Sequence, residues 1–297
     1  MSCSPTSAWW ATDPATDPEI TGDISGPHDG AIDAVAGHGT FIAGLVRQEC
    51  PDADILSLRV VHSDGVIVES DLVLALQRLG EAVQRGASGG TDGVRVDVLN
   101  MSMGYYHETP ADALFDPTMY DLLRALRECG TVVVTSAGND ATSGEQYPAA
   151  FTPHPGGFVT SPEPGCAPLL SVGANNPDGT VALFSNCGDW VTSWATGAAV
   201  VTTMPPFQGG YEPQARTVAL GQERASLDPD SFVQGFGVWS GTSFSAPVVA
   251  GRVAQRLWTD SEACGDDTDA SCLSVSIPAA AVARADRAVE QAGALAP

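Results

Sequence analysis

Three short segments of the chain carry side chains suited to nucleophilic catalysis. Residues 240–247 read Ser-Gly-Thr-Ser-Phe-Ser-Ala-Pro. They lead into an apolar helical run, so Ser243 is expected at the start of a helix, with Pro247 in its first turn. A hydroxyl there lies beside unpaired N–H groups and the positive end of the helix dipole, which stabilise an oxyanion formed next to it. This placement suits a nucleophile. The segment by itself also fits an ordinary helix N-cap.

The other two segments supply a base and an amide donor. Residues 37–40 read Gly-His-Gly-Thr and place His38 at the start of an apolar helix, where an imidazole can act as a general base. Residues 135–140 end a buried strand with Asn139, at the edge where open α/β sheets place their sites. Its carboxamide can donate to a developing oxyanion. Considered on its own, each of His38 and Asn139 fits an ordinary turn residue as well as it fits a catalytic one.

Strand and helix patterns alternate around these segments. Apolar runs at 55–61, 94–101 and 131–136 predict strands, and helical spacing predicts helices at 69–86 and 119–126. This order indicates a parallel sheet with helices on its faces. The remaining predictions are strand-like runs at 169–173 and 190–204, an inserted loop at 205–237 and a buried central helix at 248–258.

Together, and in this order, the motifs His-Gly-Thr, Ala-Gly-Asn and Gly-Thr-Ser-x-x-x-Pro resemble those of the subtilisin-like (S8) serine peptidases. The resemblance covers about residues 36–258 and extends to Asn-Met-Ser-Met-Gly at 100–104 and Ala-Leu-Phe-Ser-Asn at 182–186. It implies an α/β three-layer sandwich, in which a mostly parallel sheet carries helices on both faces.

The resemblance also implies a serine endopeptidase that hydrolyses peptide bonds through an acyl-enzyme on Ser243. In that mechanism His38 is the general base, and Asn139 donates to the oxyanion together with the Ser243 N–H. The residues that would pair with the substrate backbone or wall the pocket for the P1 side chain are Ser102, Met103, Gly104, Ala137 and Gly138.

The family's third catalytic residue, an aspartate that ends an apolar first strand, has no match in the chain. The acidic candidates before His38 follow no apolar run; they are Asp13, Asp17, Asp23, Asp29 and Asp33. Because the other motifs read intact, the sequence favours a start that omits the first catalytic strand over a degraded copy. Loss of this aspartate removes most of the turnover in such enzymes. The main alternative is therefore a catalytically impaired or non-catalytic homologue that binds extended peptides.

Composition narrows the partners and cofactors. The 297 residues include 36 Asp or Glu against 13 basic residues, a net charge of −23, which disfavours nucleic acid as a partner and leaves a polypeptide substrate. No Gly-x-Ser-x-Gly elbow is present, which disfavours an esterase. The seven cysteines include no Cys-x-x-Cys pair, so no zinc site is expected, although Cys264 and Cys272 are spaced to form a bridge. We expect no required cofactor, with structural calcium an option for the acidic leader.

The chain is expected to have three segments. Residues 1–36 form an acidic leader loop rich in Pro and Gly, residues 37–260 the peptidase domain, and residues 261–297 an acidic and then Ala-rich tail. No signal peptide pattern opens the sequence, although secretion is usual in the family, and no apolar run approaches the roughly 20 residues that cross a bilayer. The compartment and the oligomeric state do not follow from the sequence.

Overall fold

The chain folds into two compact units. The computed structural model describes residues 17–23, 31–109, 111–207, 216–225, 232–263 and 278–294. Unit 1 comprises Met1–Phe41, Val61–Ile67 and Thr202–Gly237, and unit 2 comprises Ile42–Val60, Val68–Val201 and Val238–Pro297. The division into leader, peptidase domain and tail stays a prediction.

The predicted helices are confirmed, and the central one is longer than expected. In the described residues the α-helices are α1 (Pro18–Thr21), α2 (His38–Glu49), α3 (Glu69–Ala87), α4 (Asp116–Glu128), α5 (Thr242–Ala263) and α6 (Pro278–Gln291). Because α5 begins at Thr242, Pro247 is its sixth residue rather than part of its first turn, which corrects the prediction for that proline. The helix tolerates Pro247 because the Ser243 carbonyl, which the proline leaves without an N–H donor, accepts a hydrogen bond from the Ser102 hydroxyl instead.

Four parallel strands form the central sheet of unit 2. The described strands are β1 (Val98–Met101), β2 (Val132–Ser136), β3 (Leu169–Asn175), β4 (Ser193–Thr196), β5 (Val200–Thr203), β6 (Arg216–Ala219), β7 (Gln222–Ala225) and β8 (Phe236–Trp239). The sheet order is β1-β2-β3-β4, with Met101 opposite Thr135 and Ser136 opposite Val172. The carboxyl ends of β1 and β2 therefore meet at one edge of the sheet.

Helices cover both faces of this sheet. On one face, Leu99 of β1 packs against Leu79 and Val83 of α3 and Leu126 of α4. The next residue, Asn100, points to the opposite face because side chains alternate along a strand, and α5 crosses that face in contact with all four strands. Every residue of β2 is buried, as expected for a strand covered on both sides. The predicted α/β layering is thus confirmed.

Two sequence predictions about strands are wrong. Residues 55–61 form no strand; Val61 makes one bridge to Ile67, and Ile55 and Leu56 are 40% and 64% exposed. An apolar run becomes a strand only where a neighbour accepts its hydrogen bonds, and no described strand lies paired beside it. Conversely, the loop predicted at 205–237 contains the antiparallel hairpin β6–β7. Its turn is Leu220-Gly221, both at positive φ (52° and 74°), the backbone that two-residue hairpins require.

The Ala-rich part of the tail forms α6, which packs against α4 and α5. Its buried residues are Ala281, Val282, Ala285, Ala288 and Val289, which follow helical spacing. Cys264 and Cys272 lie outside the described residues. In the described part of the chain, no helix combines the length and the apolar character needed to cross a membrane.

Candidate active site

Ser243 lies in the first turn of α5. The helix begins at Thr242, so the N–H groups around Ser243 have no acceptor within the helix and carry its positive end. The carbonyl oxygen of Ser243 would normally accept from the N–H of residue 247, which is proline. Instead it accepts a hydrogen bond from the Ser102 hydroxyl at 2.8 Å. The side chain of Ser102, the residue that follows β1, therefore holds the backbone of Ser243.

The side chain and the backbone of Ser102 are engaged differently. Its buried hydroxyl receives a hydrogen bond from the Asn100 amide at 3.0 Å and passes one to Ser243, so it links β1 to α5. Its backbone is different: residues 102–104 make no backbone hydrogen bond to any other described residue. Their N–H and C=O groups are thus placed at the carboxyl edge of the sheet with capacity to pair with an extended peptide.

Thr242 fixes the orientation of the Asn139 carboxamide. The Thr242 N–H and hydroxyl both donate to Asn139 Oδ1, at 2.8 and 3.0 Å, and the same hydroxyl accepts from the Gly138 N–H at 2.9 Å. A backbone N–H can face only the oxygen of the amide, so the network assigns the carboxamide orientation. Since Asn139 is exposed, its Nδ2 is left as a donor on the solvent side of the site.

We expect Thr242→Val to loosen this arrangement while preserving its shape. Thr242 is fully buried, and valine leaves the Gly138 N–H without its acceptor, which costs about 1–3 kcal/mol. Urea unfolding should show that loss in the free energy of unfolding. The matched control is Thr259→Val on the same helix, where the hydroxyl donates to the Gln255 carbonyl at an exposed position and the loss should be below about 0.5 kcal/mol. Equal losses would contradict the role given to Thr242.

Asn186 is a further site residue that the sequence reasoning did not single out. It is fully buried; its Oδ1 accepts from the N–H groups of Asp140 and Thr142, and its Nδ2 donates to the Ala137 carbonyl at 2.9 Å. One side chain thus holds the segment that contains Asn139. In the sequence it was visible only as the last residue of the family-like segment 182–186, because these three partners are 44–49 residues away.

His38 is the first residue of α2 and belongs to unit 1. Gly37 before it has φ +78°, a left-handed backbone conformation in which any residue with a side chain would be strained. Burial lowers the pKa of His38 to about 4, because desolvation disfavours the charged imidazolium. The imidazole is therefore neutral at pH 7, which is the form that accepts a proton.

Three of the acidic residues considered as the third catalytic group lie among the described residues, all of them in unit 1. Asp17 caps α1, where its Oδ1 accepts the Glu19 N–H at 3.0 Å. Asp23 and Asp33 lie in unit 1 with His38, and Asp13 and Asp29 lie outside the described residues. The identity of the group that orients the imidazole stays a prediction.

The described residues can be compared with the predictions for metal ligands and cysteines. No group of three or more His, Cys, Asp or Glu in them is arranged to hold a metal ion. Much of the leader, for which calcium was considered, lies outside the described residues, as does Cys3. The described cysteines are free thiols; they are Cys50, Cys129, Cys166 and Cys187.

Unit 2 brings together seven of the eight site residues that the sequence predicted. Ser243 and Asn139 meet through Thr242, and Ser102 bonds directly to Ser243. The other predicted residues of this unit lie in the segments that follow β1 and β2; they are Met103, Gly104, Ala137 and Gly138. His38, in unit 1, is the eighth.

Solved structures resemble this architecture. The chain superimposes on the crystal structure of a lanthipeptide protease with a TM-score of 0.56 at 20% sequence identity, covering 81% of this chain and 66% of that one. At this identity the likeness concerns the fold.

Sequence relatives extend the comparison. The chain is 28% identical over 255 residues to mycosin-4 of Mycobacterium tuberculosis, covering 78% of this chain and 50% of that protein. It is 29% identical over 226 residues to subtilisin-like protease 12 of Arthroderma benhamiae, covering 72% and 44%. The chain thus spans about half the length of these curated relatives. The sequence model of the subtilase family, Peptidase_S8, matches residues 11–263, and the chain therefore belongs to the subtilase family.

Proposed function

We propose that this protein is a serine endopeptidase with Ser243 as its nucleophile. The observation that carries the proposal is the locked Asn139 amide: Thr242 binds its oxygen at 2.8 and 3.0 Å, so its N–H group is presented beside the start of α5. A fixed donor next to a helix-start serine is the arrangement that stabilises the oxyanion of acyl transfer. Membership in a family of serine peptidases supports the same activity.

Each step of the proposed reaction uses Ser243, His38 or Asn139. Ser243 Oγ attacks the carbonyl carbon of the scissile bond while its proton passes to neutral His38, and the carbonyl oxygen becomes an oxyanion. Asn139 Nδ2 and the Ser243 N–H donate to that oxyanion. His38 then protonates the leaving amine as the C–N bond breaks, which leaves an acyl ester on Ser243. Water, deprotonated by His38, hydrolyses the ester and restores both residues.

In this proposal the substrate binds along the segments that follow β1 and β2. An extended peptide would pair with the backbone of residues 102–104, which have no backbone partner among the described residues. Ser102, Met103 and Gly104 on one side and Ala137 and Gly138 on the other would then flank the P1 side chain. The partner is a polypeptide, and the field of an acidic protein favours basic substrates weakly.

A homologue that binds peptides without cleaving them is the second candidate. It is favoured by the sequence before His38, in which no aspartate ends an apolar strand run; in the complete mechanism that aspartate orients the imidazole. Such a protein would use the same backbone groups of residues 102–104 to hold a peptide and release it intact.

Incubation with reduced, unfolded casein separates the two candidates. We expect new internal peptides, detected by mass spectrometry, whose formation stops after treatment with phenylmethylsulfonyl fluoride, which sulfonylates the nucleophilic serine. Casein that binds but stays intact over many hours, at protein concentrations near those of the substrate, would replace the endopeptidase proposal with the peptide-binding one.

A further inference from the structure

His154 is a buried histidine whose two ring nitrogens both lie against hydrogen-bond acceptors. Its Nδ1 is 2.7 Å from the Thr152 carbonyl oxygen and its Nε2 is 3.0 Å from Glu145 Oε1, and only 5% of the residue is exposed. A carbonyl oxygen and an ionised carboxylate can only accept, and a neutral imidazole carries a single N–H. Both contacts are therefore hydrogen bonds only when the ring is a doubly protonated imidazolium.

Glu145 is the ionised partner of His154. Burial acts to raise the pKa of its carboxyl, but hydrogen bonds from His154 and Tyr147 outweigh burial and hold that pKa below its usual range. The second carboxylate oxygen accepts from the Tyr147 hydroxyl at 2.7 Å. Burial and the bond to Glu145 raise the pKa of Tyr147, so this hydroxyl remains a donor at every pH at which histidine titrates. These three residues form the histidine network, and the proton that leaves it near neutral pH is the one on His154.

The histidine network is fixed at both ends. At one end the buried Thr152 hydroxyl donates to the Trp190 carbonyl at 2.6 Å, which holds the residue whose carbonyl meets the imidazole. At the other end Tyr147 exchanges two backbone hydrogen bonds with Tyr105, at 2.7 and 2.9 Å. Tyr105 directly follows residues 102–104, whose backbone the proposed function assigns to the substrate. The charge state of the network thus acts on the end of that segment.

A second histidine next to the network differs from His154 in its contacts. The His107 ring stacks on the Tyr147 ring, with centroids 4.5 Å apart, and its Nε2 is 3.0 Å from Asp116 Oδ1. The same oxygen accepts from the Tyr105 hydroxyl at 2.8 Å. Among the described contacts His107 uses one ring nitrogen, so a neutral ring can still donate to Asp116. Loss of its proton leaves this bond in place, whereas loss of the proton on His154 removes one of its two bonds.

We propose that His154 is a positioning residue of this protein: its imidazolium fixes the peptide-binding segment 102–104, and loss of its proton loosens that segment. The inference rests on the proposed function, because that function assigns the substrate backbone to residues 102–104. The histidine network is complete above the lowered pKa of Glu145 and below the pH at which His154 becomes neutral. Peptide binding is therefore strongest at mildly acidic pH and weakens as the pH rises.

Binding of peptides to Ser243→Ala tests this inference without turnover. The probe is a pool of uncharged decapeptides of random sequence that carry a tetramethylrhodamine label, and fluorescence anisotropy gives the dissociation constant. We expect this constant to rise about tenfold between about pH 5.5 and about pH 8, as for the loss of one hydrogen bond to a charged group. His38 does not contribute, because its pKa of about 4 leaves it neutral over this range.

Two variants in the same background separate the histidines. Glu145→Gln offers an amide N–H to the neutral His154 ring and an oxygen to the Tyr147 hydroxyl, so its affinity should be the same at both pH values. His107→Gln keeps a donor for Asp116 but does not titrate, so the tenfold change should persist. A change of equal size in Glu145→Gln, or one that His107→Gln abolishes, would overturn the inference.

Amide hydrogen exchange tests the same inference without a peptide. The N–H groups of Tyr105 and Tyr147 donate to each other's carbonyls. Their protection in the natural protein, corrected for the intrinsic effect of pH, should be about tenfold lower at about pH 8 than at about pH 5.5, and in Glu145→Gln it should not change. Equal protection at the two pH values in the natural protein would contradict the inference. Peptides that fail to bind at either pH, while protection follows the expected pattern, would instead overturn the assignment of residues 102–104 to the substrate and with it the proposed function.

Discussion

Replacing Ser243 with alanine is expected to abolish covalent labelling by a fluorophosphonate probe. The probe reacts with a serine only when its hydroxyl is activated and the oxyanion that forms is stabilised, and Ser243 is presented in the first turn of α5 beside the oriented Asn139 amide. Hydrolysis should fall by a factor on the order of 10⁶, the loss that removal of the nucleophile causes in subtilisin itself. Gel fluorescence and peptide mapping of the labelled protein give the readout.

Ser245→Ala is the matched control for this experiment. Ser245 lies in the same turn of α5 but is fully buried, and its hydroxyl donates to the Thr242 carbonyl at 3.0 Å. Labelling of this variant should persist at the natural level. A label that survives Ser243→Ala and maps to another serine would show that the nucleophile has been misassigned.

Replacing Asn139 is expected to lower turnover by about 10²–10³ with little change in the Michaelis constant. The amide donates to charge that develops only in the transition state, so its removal raises the barrier without weakening ground-state binding. Asn139→Asp isolates the donor, because a carboxylate can keep both hydrogen bonds from Thr242 but has no N–H to offer. Steady-state kinetics on a fluorogenic peptide measure the two constants.

Asn176→Ala provides the comparison for Asn139. Asn176 also follows a strand of the central sheet, and its amide donates to the Thr180 hydroxyl at 3.0 Å at an exposed position. Turnover should be unchanged in that variant. If Asn139→Asp raised the Michaelis constant and left the turnover number alone, Asn139 would be a binding residue rather than an oxyanion donor.

The family's sequence motifs were readable from the sequence because each is local. Gly-Thr-Ser before an apolar helical run predicts a serine at a helix start, and α5 does begin at Thr242. Helical spacing in the segment that became α3, and β-branched residues in β2, identified those elements because periodicity and propensity act over a few residues. The parallel α/β architecture followed from their order along the chain.

The tertiary structure decided how the local pieces support one another. Residues 55–61 have the composition of a strand, but among the described residues their only bridge joins Val61 to Ile67, and pairing is a non-local property that composition cannot supply. The carbonyl that Pro247 leaves without a partner is satisfied by Ser102, 141 residues from Ser243. Sequence patterns indicate the missing donor but not the group that replaces it.

The sequence by itself therefore determined which residues are chemically equipped and which local elements carry them. Only the fold decided which atoms of those residues remain available: Thr242 occupies the Asn139 oxygen and leaves its N–H group, and Gln146, which no motif singled out, lies against Gly104 and Gly138. The physical reason is that hydrogen bonds and steric contacts join atoms across long sequence separations. The orientation of these groups arises from those contacts, whereas their reactivity is already present in the residue types.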